Sequence, residues 1–148
     1  MKRRAAVLLA ALSFAVPAAF AWPGAPKTPP PTPPQPGAPP PAWIETQAKS
    51  AWLFYGIYCW KTTCADLIPP ETRPGLPVFT VLRGQTLRVH LGFAATSATA
   101  TIDRRKVTAK LDASRHVVSW STGRAGILTI SARASSGSAS YFARLRIR

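Results

Sequence analysis

From Thr86 to Phe93 apolar and polar side chains alternate one for one, Leu87, Val89, Leu91 and Phe93 against Arg88, His90 and Gly92. A period of two suits a strand with one buried face and does not fit the 3.6-residue repeat of an amphipathic helix. Comparable runs return at about 98–102, 107–111, 116–121, 126–134 and 139–147, separated by Asp, Gly and Ser clusters. Strands of that length and spacing predict an all-β fold, an antiparallel sandwich of about seven short strands formed by residues 42–148. A stretch of this size supports one domain with one modest core.

Two hairpins can be registered, because antiparallel partners must bring their apolar residues to one face. With a turn at Ser136-Gly137, Leu128 faces Leu145, Ile130 faces Ala143 and Ala132 faces Tyr141, which sends Arg144, Arg146 and Arg148 to the other side. With a loop at Asp103-Arg104-Arg105-Lys106, Ile102 faces Val107, Ala100 faces Ala109 and Ala98 faces Leu111. Residues 52–60 read as one strand that is apolar on both faces, with Trp52, Phe54, Tyr58 and Trp60 on one side and Leu53, Tyr55, Ile57 and Cys59 on the other. One face must be core. The other is either covered by residues 68–77 or open as an aromatic platform able to stack on sugars or partner side chains.

Cys59 and Cys64 are the only cysteines. If Lys61-Thr62 forms a two-residue tip, Trp60 opposes Thr63 as the hydrogen-bonded pair. Cys59 then opposes Cys64 in the closer position, within disulfide reach. Closing so short a loop contributes only about 2 kcal/mol. The Cys-x-x-x-x-Cys spacing in a strand-rich setting argues against a redox site. His90 and His116 lie too far apart in sequence to share a zinc-ligand motif with the cysteines. The order of elements, with Arg83-Gly84 leading into the strand from Thr86 and a long final hairpin, resembles immunoglobulin-like bacterial surface modules. The run Gly56-Ile57-Tyr58-Cys59-Trp60, followed by Cys64-Ala65-Asp66, is similar to a Gly-x-Tyr-Cys-Trp and Cys-x-Asp motif of small exported bacterial immunoglobulin-like domains of unassigned function. That resemblance implies a fold and a compartment, and it carries no activity.

The N-terminal region has a different character. Lys2-Arg3-Arg4, an apolar run from Ala5 to Ala15, Pro17 and the exit Ala19-Phe20-Ala21 have the three-part layout of a signal peptide over residues 1–21. The apolar run is too short for a membrane span. The product is expected outside the cytoplasm: extracellular, wall-associated or periplasmic, with no transmembrane span once the signal is removed. Residues 22–41 hold 11 of the 16 prolines and exclude helix and sheet. An extended polyproline spacer, solvated and on the order of 60 Å long, is the expectation. Its removal should then leave stability unchanged.

Losing Lys2, Arg3 and Arg4 from 19 cations leaves 16 against 5 acids, a net charge of +11. Such a field favours anionic wall polymers, acidic glycans or acidic surfaces. An Arg-rich, Ala-rich and Pro-rich composition accounts for the charge equally well without selection for binding. The last strand sends Arg144, Arg146 and Arg148 to one face. Arg133 is expected to enter that face from the partner strand, with Arg104, Arg105 and Lys106 nearby if the two hairpins share a sheet. The same arrangement serves as protection against edge-to-edge pairing. Proton-transfer groups are few: Glu45, Asp66, Glu71, Asp103, Asp112, His90 and His116, with no nucleophile elbow, phosphate loop or paired carboxylates among them. Asp103 and Asp112 sit where side chains stabilise turns. The expected function is non-catalytic and cofactor-free: a secreted cell-envelope module binding anionic or glycan polymers. The alternative is an adaptor for an envelope protein, or a spacer with incidental charge. Nucleic acid is not an expected partner.

Overall fold

The alternation read at Thr86–Phe93 is the organising pattern of the folded chain. In β6 (Thr86–Leu91) Leu87, Val89 and Leu91 are buried while Thr86 and Arg88 are exposed. The computed structural model describes residues 24–33 and 35–148, and the expected signal peptide lies outside them. Twelve strands form, and no helix occurs among the described residues. Before β6 come β1 (Ala42–Glu45), β2 (Ser50–Trp52), β3 (Phe54–Trp60), β4 (Thr63–Ala65) and β5 (Val78–Val81). After it come β7 (Ser97–Ile102), β8 (Arg105–Lys106), β9 (Lys110–Leu111), β10 (Val117–Ser121), β11 (Gly126–Ala134) and β12 (Gly137–Ile147).

Five strands make one sheet in the order β2-β1-β6-β10-β9. Seven make the other, β4-β3-β12-β11-β7-β8 with β5 added beside β12. All pairings are antiparallel except β5 with β12. Residues of both sheets, among them Ile44, Leu87, Val89, Val118, Leu128, Ile130, Tyr141 and Leu145, share one buried cluster. The architecture is therefore an all-β sandwich. It has more strands than the seven expected because β1 and β5 form outside the expected runs, β4 completes the cysteine hairpin, and the run at 52–60 is divided between the two sheets.

Residues 52–60 show this division. The run breaks at fully buried Leu53, whose N–H donates to the Ala42 carbonyl at 2.9 Å. Trp52 stays in the five-stranded sheet while Phe54 begins a strand of the seven-stranded one. The β3–β12 pairing then slips between Ala139 and Tyr141, so that Tyr55 and Tyr58 both face inward. A bulge of this kind inverts side-chain parity. Tyr58 and Trp60 are therefore core residues, while Trp52 and Phe54 lie in different sheets. The proposed aromatic row does not exist. Phe54 is covered as the closed alternative expected, since it packs with Leu76, Ile127 and Phe142, and the Arg73 guanidinium lies 4.9 Å from its ring centre.

Both hairpin registers are corrected by two residues. Leu128 faces Ala143, Ile130 faces Tyr141 and Ala132 faces Ala139, joined by a two-residue turn at Ser135-Ser136. A shift of two preserves parity, so Ala143 and Leu145 are buried while Arg146 is exposed, as expected. Gly137 closes this turn opposite Ala134; its φ is +140°, and a Cβ there would collide with the Cys59 carbonyl oxygen of the neighbouring β3. The turn after β7 takes only Asp103-Arg104, both at positive φ (48° and 65°), which suits a tight hairpin. β7 therefore pairs with β11, and residues 107–111 leave for the other sheet, where Lys110 and Leu111 pair with β10. In the Cys59–Cys64 hairpin, Trp60 opposes Thr63 and Cys59 opposes Cys64, and the cysteines are disulfide-bonded with Cα atoms 4.0 Å apart.

The proline-rich segment is not a free spacer. Ala38 packs against the core, Pro39 is buried, and Pro40 accepts a 2.6 Å hydrogen bond from the Tyr141 hydroxyl. Pro36 accepts one from Thr63 Oγ1 at 3.2 Å, and Thr28 accepts one from the Trp52 indole at 2.8 Å. Three carbonyls of the segment, at Thr28, Pro36 and Pro40, thus find donors on the domain.

Candidate functional site

Strand direction determines where the basic residues collect. β12 and β5 run in parallel, so the chain end at Arg148 and the turn at Leu82-Arg83 emerge together, with the Arg148 N–H donating to the Val81 carbonyl at 2.9 Å. β6 begins where β10 ends, which brings the 82–85 turn against residues 122–124. There Gly84 N–H donates to the Thr122 carbonyl at 2.6 Å, Thr122 N–H to the Gln85 carbonyl at 3.0 Å, and the Arg83 guanidinium to the Gly123 carbonyl at 3.2 Å. The β7–β8 turn joins the same end. Asp103 N–H donates to the Ile127 carbonyl at 3.0 Å, and its carboxylate accepts the Ile127 N–H at 2.8 Å.

One pole of the sandwich thus presents Arg83, Arg104, Arg105, Lys106, Arg124, Arg146 and Arg148, all exposed. Two acids accompany them. Glu71 pairs with Arg104 at 3.3 Å, and Asp103 is engaged by the start of β11. Lys106 and Arg124 flank an open cleft of about 530 Å³, lined also by Ile102, Val107, Thr108 and Ser121. Arg144 is half-buried on the outer face of the seven-stranded sheet. Arg133 shares that outer face but not the pole. It pairs with Ser138 and Ser97, six residues along β12 from Arg144, on the order of 20 Å away. The expected stripe is therefore a cluster at one end plus one distant arginine. Sequence reading missed Arg83 and Arg124. Their signal was available in the Arg-Gly and Gly-Arg dipeptides at turns flanking two strands, but only the β6–β10 pairing shows that those turns meet.

The outer face of the five-stranded sheet holds a second cluster. Trp43 and His90 are cross-strand partners, stacked with ring centroids 4.6 Å apart and planes 3° from parallel. Trp52, opposite Trp43 on β2, meets it edge-on at 5.7 Å. His90 Nε2 lies 2.6 Å from Glu45 Oε1. Trp43 keeps only 2% exposure although its strand parity directs it away from the core. The proline-rich segment crosses here, with Gly24 beside the Glu45 carboxylate and Thr28 at the Trp52 indole.

Asp112 and His116 serve local structure. Asp112 accepts hydrogen bonds from Ser114 Oγ at 2.6 Å and from the His116 and Val117 N–H groups at 3.1 and 3.0 Å. Those bonds, the Ser114 hydroxyl first, hold its carboxyl below the usual carboxylate range. His116 Nδ1 lies 3.2 Å from the Leu91 carbonyl. Both cysteines are consumed by the disulfide. Among the described residues no group of three or more His, Cys, Asp or Glu is placed to hold a metal ion, and no helix is long and apolar enough to cross a membrane.

The fold and its surface define an all-β sandwich with a strongly basic pole and an aromatic cluster on the outer face of the five-stranded sheet. Comparison of the chain with protein-family models, characterised proteins and solved structures gives no match.

Proposed function

We propose that this chain is a non-catalytic binding module of the cell envelope, exported and directed at anionic polymers through its basic pole. The observation that carries the reading is the convergence of Arg83, Arg104, Arg105, Lys106, Arg124, Arg146 and Arg148 from separate turns and strand ends, against a single paired acid and a single structural one. Arginine suits phosphate or carboxylate groups on a flexible chain, because its planar fork donates two parallel hydrogen bonds. The two-sheet architecture and long final hairpin support an immunoglobulin-like assignment, and the disulfide supports an oxidising compartment. Stacking of glycans on Tyr58 and Trp60 is excluded from the proposal, since both rings are core.

Retention of the full chain on immobilised polyphosphate or polyuronate, measured from 50 to 300 mM salt, tests the reading. Binding should fall steeply with salt. Replacing Arg124, Arg146 and Arg148 with Gln should make the log–log salt slope shallower by about 2, by analogy with polyanion binding to nucleic acid. Retention that ignores salt and these substitutions would favour an adaptor for a protein partner, docked through apolar surface.

A further inference from the structure

We propose that the basic pole docks on an anionic lipid surface, with Leu82 entering the bilayer as an apolar wedge while the surrounding arginines hold the headgroups. The inference rests on the arginine convergence that carries the polymer reading, and it gives the same pole a membrane partner. Leu82 is 60% exposed, more than Ile57, Ile68 or Val78. A single exposed leucine is ordinary on a protein surface. This one stands at the start of the 82–85 turn, inside the cluster of cations. Arg83 follows it, Arg146 and Arg148 end the neighbouring β12, and Arg124 lies next to the Gly123 carbonyl that the Arg83 guanidinium bonds. A soluble polyanion offers the arginines partners and leaves the leucine wet, whereas a bilayer of acidic lipids satisfies both.

The backbone at the tip is prepared for such contact. A segment enters hydrocarbon only with its polar backbone groups satisfied. Leu82 meets that condition at both groups: its N–H donates to Gln85 Oε1 at 3.1 Å, and its carbonyl accepts the Gln85 N–H at 3.1 Å. The turn is also held on the domain, by the Gly84 N–H on the Thr122 carbonyl and by the Arg83 guanidinium on the Gly123 carbonyl, so the leucine is presented on a fixed support. Val78, the other exposed apolar residue of this strand, projects to the same side about 13 Å behind it. The wedge is therefore one residue deep, and insertion is shallow. Each cation near an anionic leaflet strengthens binding about fivefold, and withdrawing a leucine side chain from water adds about tenfold.

The test is co-sedimentation of the full chain with phosphatidylcholine vesicles, with and without phosphatidylglycerol, run beside retention on immobilised polyphosphate. The unaltered chain should bind the vesicles that contain phosphatidylglycerol and leave the neutral ones. Leu82→Ser should weaken that binding about tenfold and leave polyphosphate retention unchanged, because it alters no charge. Leu82→Met, which keeps an apolar tip, should bind vesicles as the unaltered chain does. Replacing Arg124, Arg146 and Arg148 with Gln should weaken vesicle binding about a hundredfold and polyphosphate retention with it. Vesicle binding that ignores Leu82→Ser, or that is absent while polyphosphate is retained, would overturn the wedge and leave the polymer reading standing. A chain that binds neither vesicles nor polyphosphate would refute both.

Discussion

Three tyrosines gather in the core beside the proline-rich segment, Tyr55 between Tyr58 at 6.3 Å and Tyr141 at 5.6 Å between ring centroids. Their hydroxyls are not equivalent. That of Tyr141 donates to the Pro40 carbonyl, whereas the buried Tyr58 hydroxyl has no hydrogen-bond partner among the described residues. Removing a satisfied hydroxyl costs about 1 kcal/mol, while removing an unsatisfied buried one costs little or is favourable. Chemical denaturation should therefore show Tyr141→Phe less stable by about 1 kcal/mol and Tyr58→Phe unchanged or more stable. The same burial governs alkaline behaviour. The Tyr55 phenol is pushed up to about 12 by burial and then by the neighbouring Tyr58, and the Tyr141 phenol is pushed higher still by burial and then by Tyr55. Because the folded state raises these values above the unfolded value of about 10, the stabilisation is whole below pH 10 and is lost as pH rises through 12. Absorbance at pH 11 should show at least two of the three phenols still protonated. Full phenolate absorbance in a still-folded protein would contradict the packing.

At the scale of the element, β3 carries the motif Gly-Ile-Tyr-Cys-Trp, and the fold supplies a reason for its first residue. A Cβ on Gly56 would run into Ser140 Oγ and the Phe142 ring on β12. The close approach occurs where the β3–β12 register slips, and the slip is what turns Tyr55 and Tyr58 inward together. Gly56→Ala must push β3 off β12 or displace Phe142 from its cluster with Leu76 and Ile127. Overpacking of this kind is worth about 1–3 kcal/mol, and the loss should appear in thermal melts with the Cys59–Cys64 bridge intact. A neutral substitution would mean that the bulge is not tightly packed.

For the whole molecule, the proline-rich segment is part of the folded unit. It bonds the Trp52 indole through the Thr28 carbonyl on one sheet face and contributes Pro39 and Ala38 at the edge of the core. Deleting residues 24–36 removes the bonds from Trp52 to Thr28 and from Thr63 to Pro36. A loss of about 2 kcal/mol follows from two hydrogen bonds at about 1 kcal/mol each. For a domain of this size that lowers the Tm by about 8–16 °C. A solvated spacer would leave the melting temperature where it was, so calorimetry on the two chains separates the alternatives.

Much of this was legible in the chain, for a definite reason. Strand existence, strand parity and the disulfide depend on nearest-neighbour geometry, in which side chains alternate and a two-residue tip sets opposite cysteines together. Leu87, Val89 and Leu91, the outward Arg146, and the Cys59–Cys64 pair all followed from that local rule. Choices between sheets did not. At Leu53 and at residues 107–109 the chain passes from one sheet to the other with no break in its β pattern, because either sheet satisfies the backbone equally. Registers slipped by two where parity could not distinguish the alternatives, and the two-residue turns at Ser135-Ser136 and Asp103-Arg104 fix them. The arginine cluster arose from strand direction, which set Arg83, Arg124 and Arg148 at one pole and left Arg133 far along the sheet. The proline segment was read as solvated because it has no period of its own. Tertiary structure placed the indole, threonine and tyrosine donors that its carbonyls lacked.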